Sequence, residues 1–197
     1  RSPPHRVPGL GPGDGEPPGG AFSPRRSASE HEAMTDRDDA NAAPAKRLLV
    51  VWHSKTGNTA ALKDAVLEGA RHPDICGVEI RCLHSSQAGP DDLRWARGLL
   101  LGTPENFGYM SGQLKDFLDR TYYEVEGELA PLPYSIFVSA GNDGTNAIRE
   151  IRRIARGYPF TEVQEPVIVR GDPDAAGLER CRDLGMALAA GLEAGIF

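Results

Sequence analysis

The chain is poor in several things that would announce a function. It holds 3 cysteines, Cys76, Cys82 and Cys181, an odd number with no Cys-x-x-Cys spacing. That argues against a disulfide framework and a thiolate metal site, and suits a reducing, cytoplasmic compartment. The 5 histidines, at positions 5, 31, 53, 72 and 84, are too scattered to form a ligand set, so no metal is expected. No apolar run approaches the roughly 18 residues of a membrane span, and none near the N-terminus reads as the core of a signal peptide. Positive charge is also short, with 22 Lys and Arg against 28 Asp and Glu for a net charge of −6. This balance speaks against nucleic acid as a partner, because phosphate neutralisation wants a basic surface. The paired acids Asp91-Asp92 and Glu126/Glu128 look like loop solvation, and no side chain is assigned a catalytic role.

What remains is material for one domain and an arm. Residues 1–45 are rich in proline, glycine and alanine and have no periodic apolar pattern. They cannot bury enough surface to offset their ordering entropy and are expected to be disordered. Met34, inside this arm, is a candidate start of the natural chain. The arm contains 5 basic and 7 acidic residues, which leaves 17 and 21, a net −4, for residues 46–197.

The most informative stretch is Ser54-Lys55-Thr56-Gly57-Asn58-Thr59. Before it, Arg47 to His53 is an apolar run that reads as a short buried strand. After it, Ala60 to Ala70 reads as a helix with Leu62, Val66 and Leu67 on one face. A strand that opens through small hydroxyl, amide and glycine residues into a helix aims several backbone N–H groups at one spot. Such a place suits a phosphate monoester. The loop lacks the Gly-x-x-x-x-Gly-Lys-Ser/Thr string of a Walker loop and, with one glycine, the three glycines of a dinucleotide fingerprint. An ordinary N-capped helix is the alternative reading of the hexapeptide.

The remaining segments alternate. Gly77–Leu83 reads as a second strand, Pro90–Ala96 as a helical turn and Arg97–Leu101 as a third strand. Gly112–Glu124 is the next helix and Pro133–Ser139 a fourth strand. A helix over Ala147–Arg156, a fifth strand at Val167–Val169 and a last helix over Pro173–Gly195 complete the chain, the last weakened by internal glycines. Alternating strands and helices indicate an α/β domain with a parallel sheet. Arg149, Arg152, Arg153 and Arg156 form a basic stripe at helical spacing. It reads as a solvated face paired with Glu150 and nearby acids, with docking of an NADPH phosphate or an acidic partner as the alternative.

An apolar strand, Trp52, and then Ser-x-Thr-Gly-Asn-Thr resembles the FMN phosphate loop of the flavodoxin-like proteins. The segment Gly98 to Thr121 strengthens the likeness with Gly102-Thr103-Pro104, then Phe107-Gly108-Tyr109-Met110-Ser111-Gly112-Gln113-Leu114-Lys115, then Phe117-Leu118-Asp119-Arg120-Thr121. It is most similar to the multimeric-flavodoxin type of NAD(P)H:quinone reductase and to the NADPH-dependent FMN reductases. The resemblance implies a flavodoxin-like, doubly wound, five-stranded parallel sheet of order 2-1-3-4-5 over residues 46–197, with helices on both faces. A ligand then belongs at the carboxyl ends of strands one, three and four.

On this resemblance, three loops hold FMN. Ser54, Lys55, Thr56, Gly57, Asn58 and Thr59 take the phosphate. Thr103, Pro104, Glu105, Asn106, Phe107, Gly108 and Tyr109 wrap the ring, with Phe107 or Tyr109 against its face. Ala140, Gly141, Asn142, Asp143 and Asn146 run along its pyrimidine side or open face, although Gly-Asn-Asp-Gly is turn chemistry by itself.

The resemblance leaves two functions open. One is an NAD(P)H-dependent oxidoreductase that passes hydride through FMN to a quinone-like acceptor. The other is a one-electron carrier between redox partner proteins. A regulatory flavin module is a third. Carrier flavodoxins sandwich the ring between aromatics of the second and third loops, whereas the third loop here has none, which favours the reductase. The chain departs from the quinone reductases in lacking their inserted segment and in replacing a histidine-bearing third loop. Quinone specificity and a homo-oligomeric assembly are therefore open.

Overall fold

The computed structural model describes residues 46–197; the expected disorder of residues 1–45 lies outside the described residues. The elements are β1 (Lys46–Trp52), α1 (Asn58–Ala70), β2 (Val78–His84), α2 (Pro90–Trp95), β3 (Gly98–Asn106), β4 (Tyr109–Met110), α3 (Gly112–Val125), β5 (Pro133–Ala140), α4 (Thr145–Ala155), β6 (Thr161–Glu162), β7 (Val167–Arg170) and α5 (Ala175–Ala194). β1 pairs parallel with β2 on one side and β3 on the other. β3 pairs parallel with β5, and β5 with β7. The five longer strands thus run β2-β1-β3-β5-β7, the expected order.

Two short strands were not expected. β4 folds back on the end of β3 as an antiparallel hairpin. β6 pairs with the first residues of β5, ahead of β7 on the same edge. The third strand also runs five residues beyond Leu101, because β5 continues to pair with it as far as Pro104.

The sheet separates two apolar cores, and the period-2 geometry of the strands assigns residues to each. Leu49, Val51, Leu99, Leu101, Ile136 and Val138 face α2, α3 and α4, where they meet Leu93, Leu114, Phe117, Leu118, Ile148 and Ile151. Leu48, Val50, Leu100 and Phe137 face α1 and α5, where they meet Leu62, Val66, Leu184, Leu188 and Leu192. Strands buried on both faces read as continuous apolar runs rather than alternating ones, as Leu48–Val51 and Leu99–Leu101 do.

The glycines of α5 have a packing purpose. A Cβ on Gly185 would stand 2.0 Å from the Val66 carbonyl oxygen, and one on Gly69 would stand 1.9 Å from the Arg182 carbonyl oxygen. Each helix therefore offers a glycine to the backbone of the other. Close approach of α1 and α5 fixes the helix that carries the first loop at its N-terminus. Gly185→Ala is expected to destabilise the fold by about 1–3 kcal/mol through overpacking against backbone, measured by urea denaturation. An unchanged midpoint would contradict this account of the helix pair.

Candidate functional site

β1, β3 and β5 lie side by side and run parallel, so the loops that follow them emerge at one edge. The first loop leaves Trp52 and turns at Gly57, whose φ of 102° is in the left-handed region that favours glycine. The Ser54 hydroxyl accepts from the Gly57 amide at 3.1 Å. The first bond of the helix ladder runs from the Ala61 N–H to the Gly57 carbonyl. The N–H groups of Asn58, Thr59 and Ala60 lie ahead of it, with no capping side chain and no acid in the first turn. By contrast, Ser111 caps α3 through the Leu114 amide and Asp174 caps α5 through the Gly177 amide. The positive end of α1 is left uncovered, beside the exposed Lys55 and Thr56.

Two residues of this loop are anchors. Thr59 is buried and its hydroxyl pairs with that of Ser139, at the end of β5, at 2.7 Å. The Asn58 side-chain amide donates to the Gly171 carbonyl, just after β7, at 3.3 Å. Together they fasten the start of α1 across the strand ends.

The second loop is the β3–β4 hairpin. Glu105 pairs with Met110 and Asn106 with Tyr109, which leaves Phe107 and Gly108 as a two-residue turn. Both have positive φ, 51° and 71°, the geometry that matches the twist of a tight hairpin. Asn-Gly is the usual pair there; Phe107 is a costly occupant of the left-handed region. It is also fully exposed at the tip. Thr103 is buried: its hydroxyl accepts from the Ser111 amide and donates to the Pro104 carbonyl, so it braces the loop from behind. Pro104 is buried, while Asn106, Gly108 and Tyr109 are half-buried.

The third loop follows Ala140. Gly141, Asn142 and Asp143 are exposed. Asp143 accepts from both the backbone amide and the hydroxyl of Thr145 at 2.8 Å. Those bonds, helped by Arg170, hold its carboxyl below the ordinary range. Asn146 reaches the second loop, donating its side-chain amide to the Gly108 carbonyl. Its Oδ1 is buried with no hydrogen-bond partner among the described residues. Glu105 ties the same two loops: one carboxylate oxygen accepts from the Asn142 amide at 3.0 Å, the other from the Gly144 amide at 3.3 Å.

Between the loops lies a cleft of about 250 Å³, lined by Lys55, Thr56, Asn58, Pro104, Glu105, Asn106, Ser139, Ala140, Gly141, Gly171 and Asp172. Eight of these belong to the three expected loops. Ser139, Gly171 and Asp172 were not expected; the last two follow β7, whose place beside β5 was the available signal. A larger cavity, about 550 Å³, opens at the opposite edge among Lys46, Leu93, Arg97, Leu132 and Phe197. None of the three loops reaches it, so the smaller cleft is the functional candidate.

Several side chains that could offer other chemistry are muted. Burial raises the Cys82 thiol and pushes that of Cys181 up to about 11, which leaves neither as a ready thiolate. His53, packed 5.4 Å from the His84 ring, is lowered by burial and then by His84. Arg152 forms a fork with Glu162, and Arg149 pairs with Glu150. Part of the basic stripe is thus neutralised within the fold. No group of three or more His, Cys, Asp or Glu among the described residues could hold a metal ion.

Comparison with known proteins agrees with the fold. Residues 84–172 match the family model described as NADPH-dependent FMN reductase. Over 159 residues the chain is 36% identical to a protein of Aquifex aeolicus named flavodoxin, covering 73% of this chain and 85% of that one. It is 36% identical over 112 residues to an NAD(P)H dehydrogenase (quinone) of Acidithiobacillus ferrooxidans, covering 47% of this chain and 56% of that one. The chain therefore spans about half the length of that dehydrogenase. The fold is similar to that of an archaeal flavodoxin, with a TM-score of 0.63 at 21% identity, covering 75% of this chain and 99% of that one.

Two substitutions test the site. Thr56→Asp places a carboxylate beside the uncapped end of α1 and is expected to weaken binding of a phosphate-bearing flavin about 100-fold or more. The far-ultraviolet circular dichroism should not change. Tight binding in that variant, followed by fluorescence titration, would refute the phosphate assignment. Phe107→Asn relieves the left-handed backbone and is expected to stabilise the ligand-free fold by about 1 kcal/mol while weakening flavin binding. A variant that loses stability in urea would contradict the strain at this turn.

Proposed function

We propose, proceeding from the fact that this chain belongs to the flavodoxin-like family, that it is an NAD(P)H-dependent FMN oxidoreductase acting on a quinone-like acceptor. The observation that carries this reading is the meeting of three loops beside a helix N-terminus that no side chain caps. The residues fit FMN. The amides of Asn58, Thr59 and Ala60 with the Thr56 hydroxyl suit its phosphate. Phe107, fully exposed on a strained turn, and Tyr109 offer aromatic surface to its ring. The Oδ1 of Asn146, whose amide reaches the second loop, is a buried acceptor with no partner among the described residues. The cleft is smaller than the roughly 300–1,000 Å³ of a site that encloses a whole ligand, so the ring end belongs outward, along Glu105 to Tyr109.

Bound FMN supplies the hydride and electron chemistry, and this explains why the chain needs no triad or acid–base pair of its own. The protein's part is to orient and to expose. Asn58 and Thr59, themselves fastened to the strand ends through Gly171 and Ser139, would hold the phosphate end. The Phe107 turn and the third loop flank the ring end. The third loop, Ala140 to Asn146, carries no aromatic side chain, so it would leave a face of the ring uncovered for a flat partner. Nicotinamide must come within roughly 3–3.5 Å for hydride transfer, and an open face permits that approach. The relative named NAD(P)H dehydrogenase (quinone) supports a nicotinamide donor and a quinone-like acceptor.

A second reading rests on the Aquifex relative named flavodoxin, of which this chain covers most: a one-electron carrier serving protein partners. The two readings separate in one anaerobic experiment. NADPH added to the FMN-loaded protein is expected to bleach the visible band of oxidised flavin with no partner protein present. A bound flavin that stays yellow would favour the carrier.

A further inference from the structure

We propose that Glu105 is a positioning residue that fastens the third loop to the second and, as a fixed negative charge on the cleft wall, lowers the reduction potential of the flavin held there. The inference rests on the FMN reading above and adds a role to a residue that chemistry alone would leave as one more acid near a loop.

The geometry is specific. Glu105 sits on the last part of β3, where the strand has outrun β1 and is held by β5 and by the β4 hairpin. Each of its carboxylate oxygens takes a different amide, Asn142 N–H at 3.0 Å and Gly144 N–H at 3.3 Å, from a loop 37 and 39 residues away in the chain. Gly144 is the N-cap of α4, at φ 72°, and as a glycine it has no side chain with which to cap the helix. The carboxylate therefore serves α4 as well as the loop, placing negative charge at the positive end of that helix.

Two consequences follow. First, the Asn142 and Gly144 amides are already engaged, so the third loop is set against the cleft before any ligand arrives. Second, Glu105 lines the cleft together with Lys55 and Asp172, while the Arg170 guanidinium is engaged elsewhere, donating to the Asp143 backbone carbonyl at 3.3 Å. Reduction adds negative charge to a flavin, and a carboxylate nearby opposes it. Lys55 is the one cation against the Glu105 and Asp172 carboxylates among the residues lining the cleft, so the charge on its wall is acidic on balance.

Two variants and two readouts decide the matter. Glu105→Gln keeps the shape and one carbonyl acceptor but removes the charge; Glu105→Ala removes both. In FMN-free protein, amide hydrogen exchange at Asn142 and Gly144 is expected to quicken about tenfold or more in Glu105→Ala, and less in Glu105→Gln, since hydrogen bonds to a charged acceptor are the strong ones. In FMN-loaded protein, Glu105→Gln is expected to favour the reduced flavin by about tenfold, or about 30 mV for a two-electron couple. Unchanged exchange in Glu105→Ala overturns the clamp, and a potential equal to wild type in Glu105→Gln overturns the electrostatic role. Failure of the wild-type protein to bind FMN overturns the underlying functional reading, and with it the role in setting the potential. The exchange result is read without flavin and stands apart from it.

Discussion

Everything functional in this fold depends on the parallel pairing of β3 with β1 on one side and β5 on the other. Parallel strands end at the same edge, so the loops after Trp52, Asn106 and Ala140 have no choice but to meet. The doubly wound arrangement then turns a topological necessity into a cleft, as it does wherever the strand order reverses. The Thr59–Ser139 hydroxyl pair, the Asn146–Gly108 contact and the Glu105 carboxylate are cross-links between those loop bases, and the Asn58–Gly171 contact ties the first of them to the turn after β7. Each joins segments far apart in sequence, and each would be meaningless without the strand adjacency beneath it.

A second theme is the contrast between polar groups that are satisfied and those that are not. Thr59 and Thr103 lie in loops expected to serve the ligand, yet their hydroxyls are spent on Ser139, Ser111 and Pro104. They position the site from within the core. The groups left over are the first amides of α1, the exposed Thr56 and the Asn146 Oδ1. The first two of these suit a phosphate ester. The same economy of function appears in Phe107, which holds a backbone conformation that asparagine or glycine would adopt at lower cost.

Much of this was legible in the sequence. The strand–loop–helix around Ser54 to Thr59 could be read because an apolar run gives way abruptly to hydroxyl and glycine residues, then to a helical period. Five strands and their order followed from the alternation and the likeness to flavodoxin-like proteins. The length of β3 was not legible. Gly102 to Asn106 lacks an apolar run, and its strand geometry is imposed by β5 and by the hairpin. β6, two residues long, carries no pattern at all. The glycines of α5 were misjudged as weaknesses, since one chain segment alone cannot reveal that a backbone carbonyl of α1 stands 2.0 Å from a would-be Cβ on Gly185. In the same way, residues after β7 entered the cleft through tertiary placement, and the partners of Glu105 lie too far along the chain for spacing to suggest them.

The central claim is that a flavin mononucleotide binds where the three loops meet, with its phosphate at the start of α1. The most direct measurement is a titration of isotopically labelled protein with FMN, followed by amide proton–nitrogen correlation spectra. The account predicts that the largest shifts fall on residues 55–60, 105–109 and 141–146. Shifts centred instead on Leu93, Arg97, Leu132 and Phe197, at the opposite edge of the sheet, would contradict it.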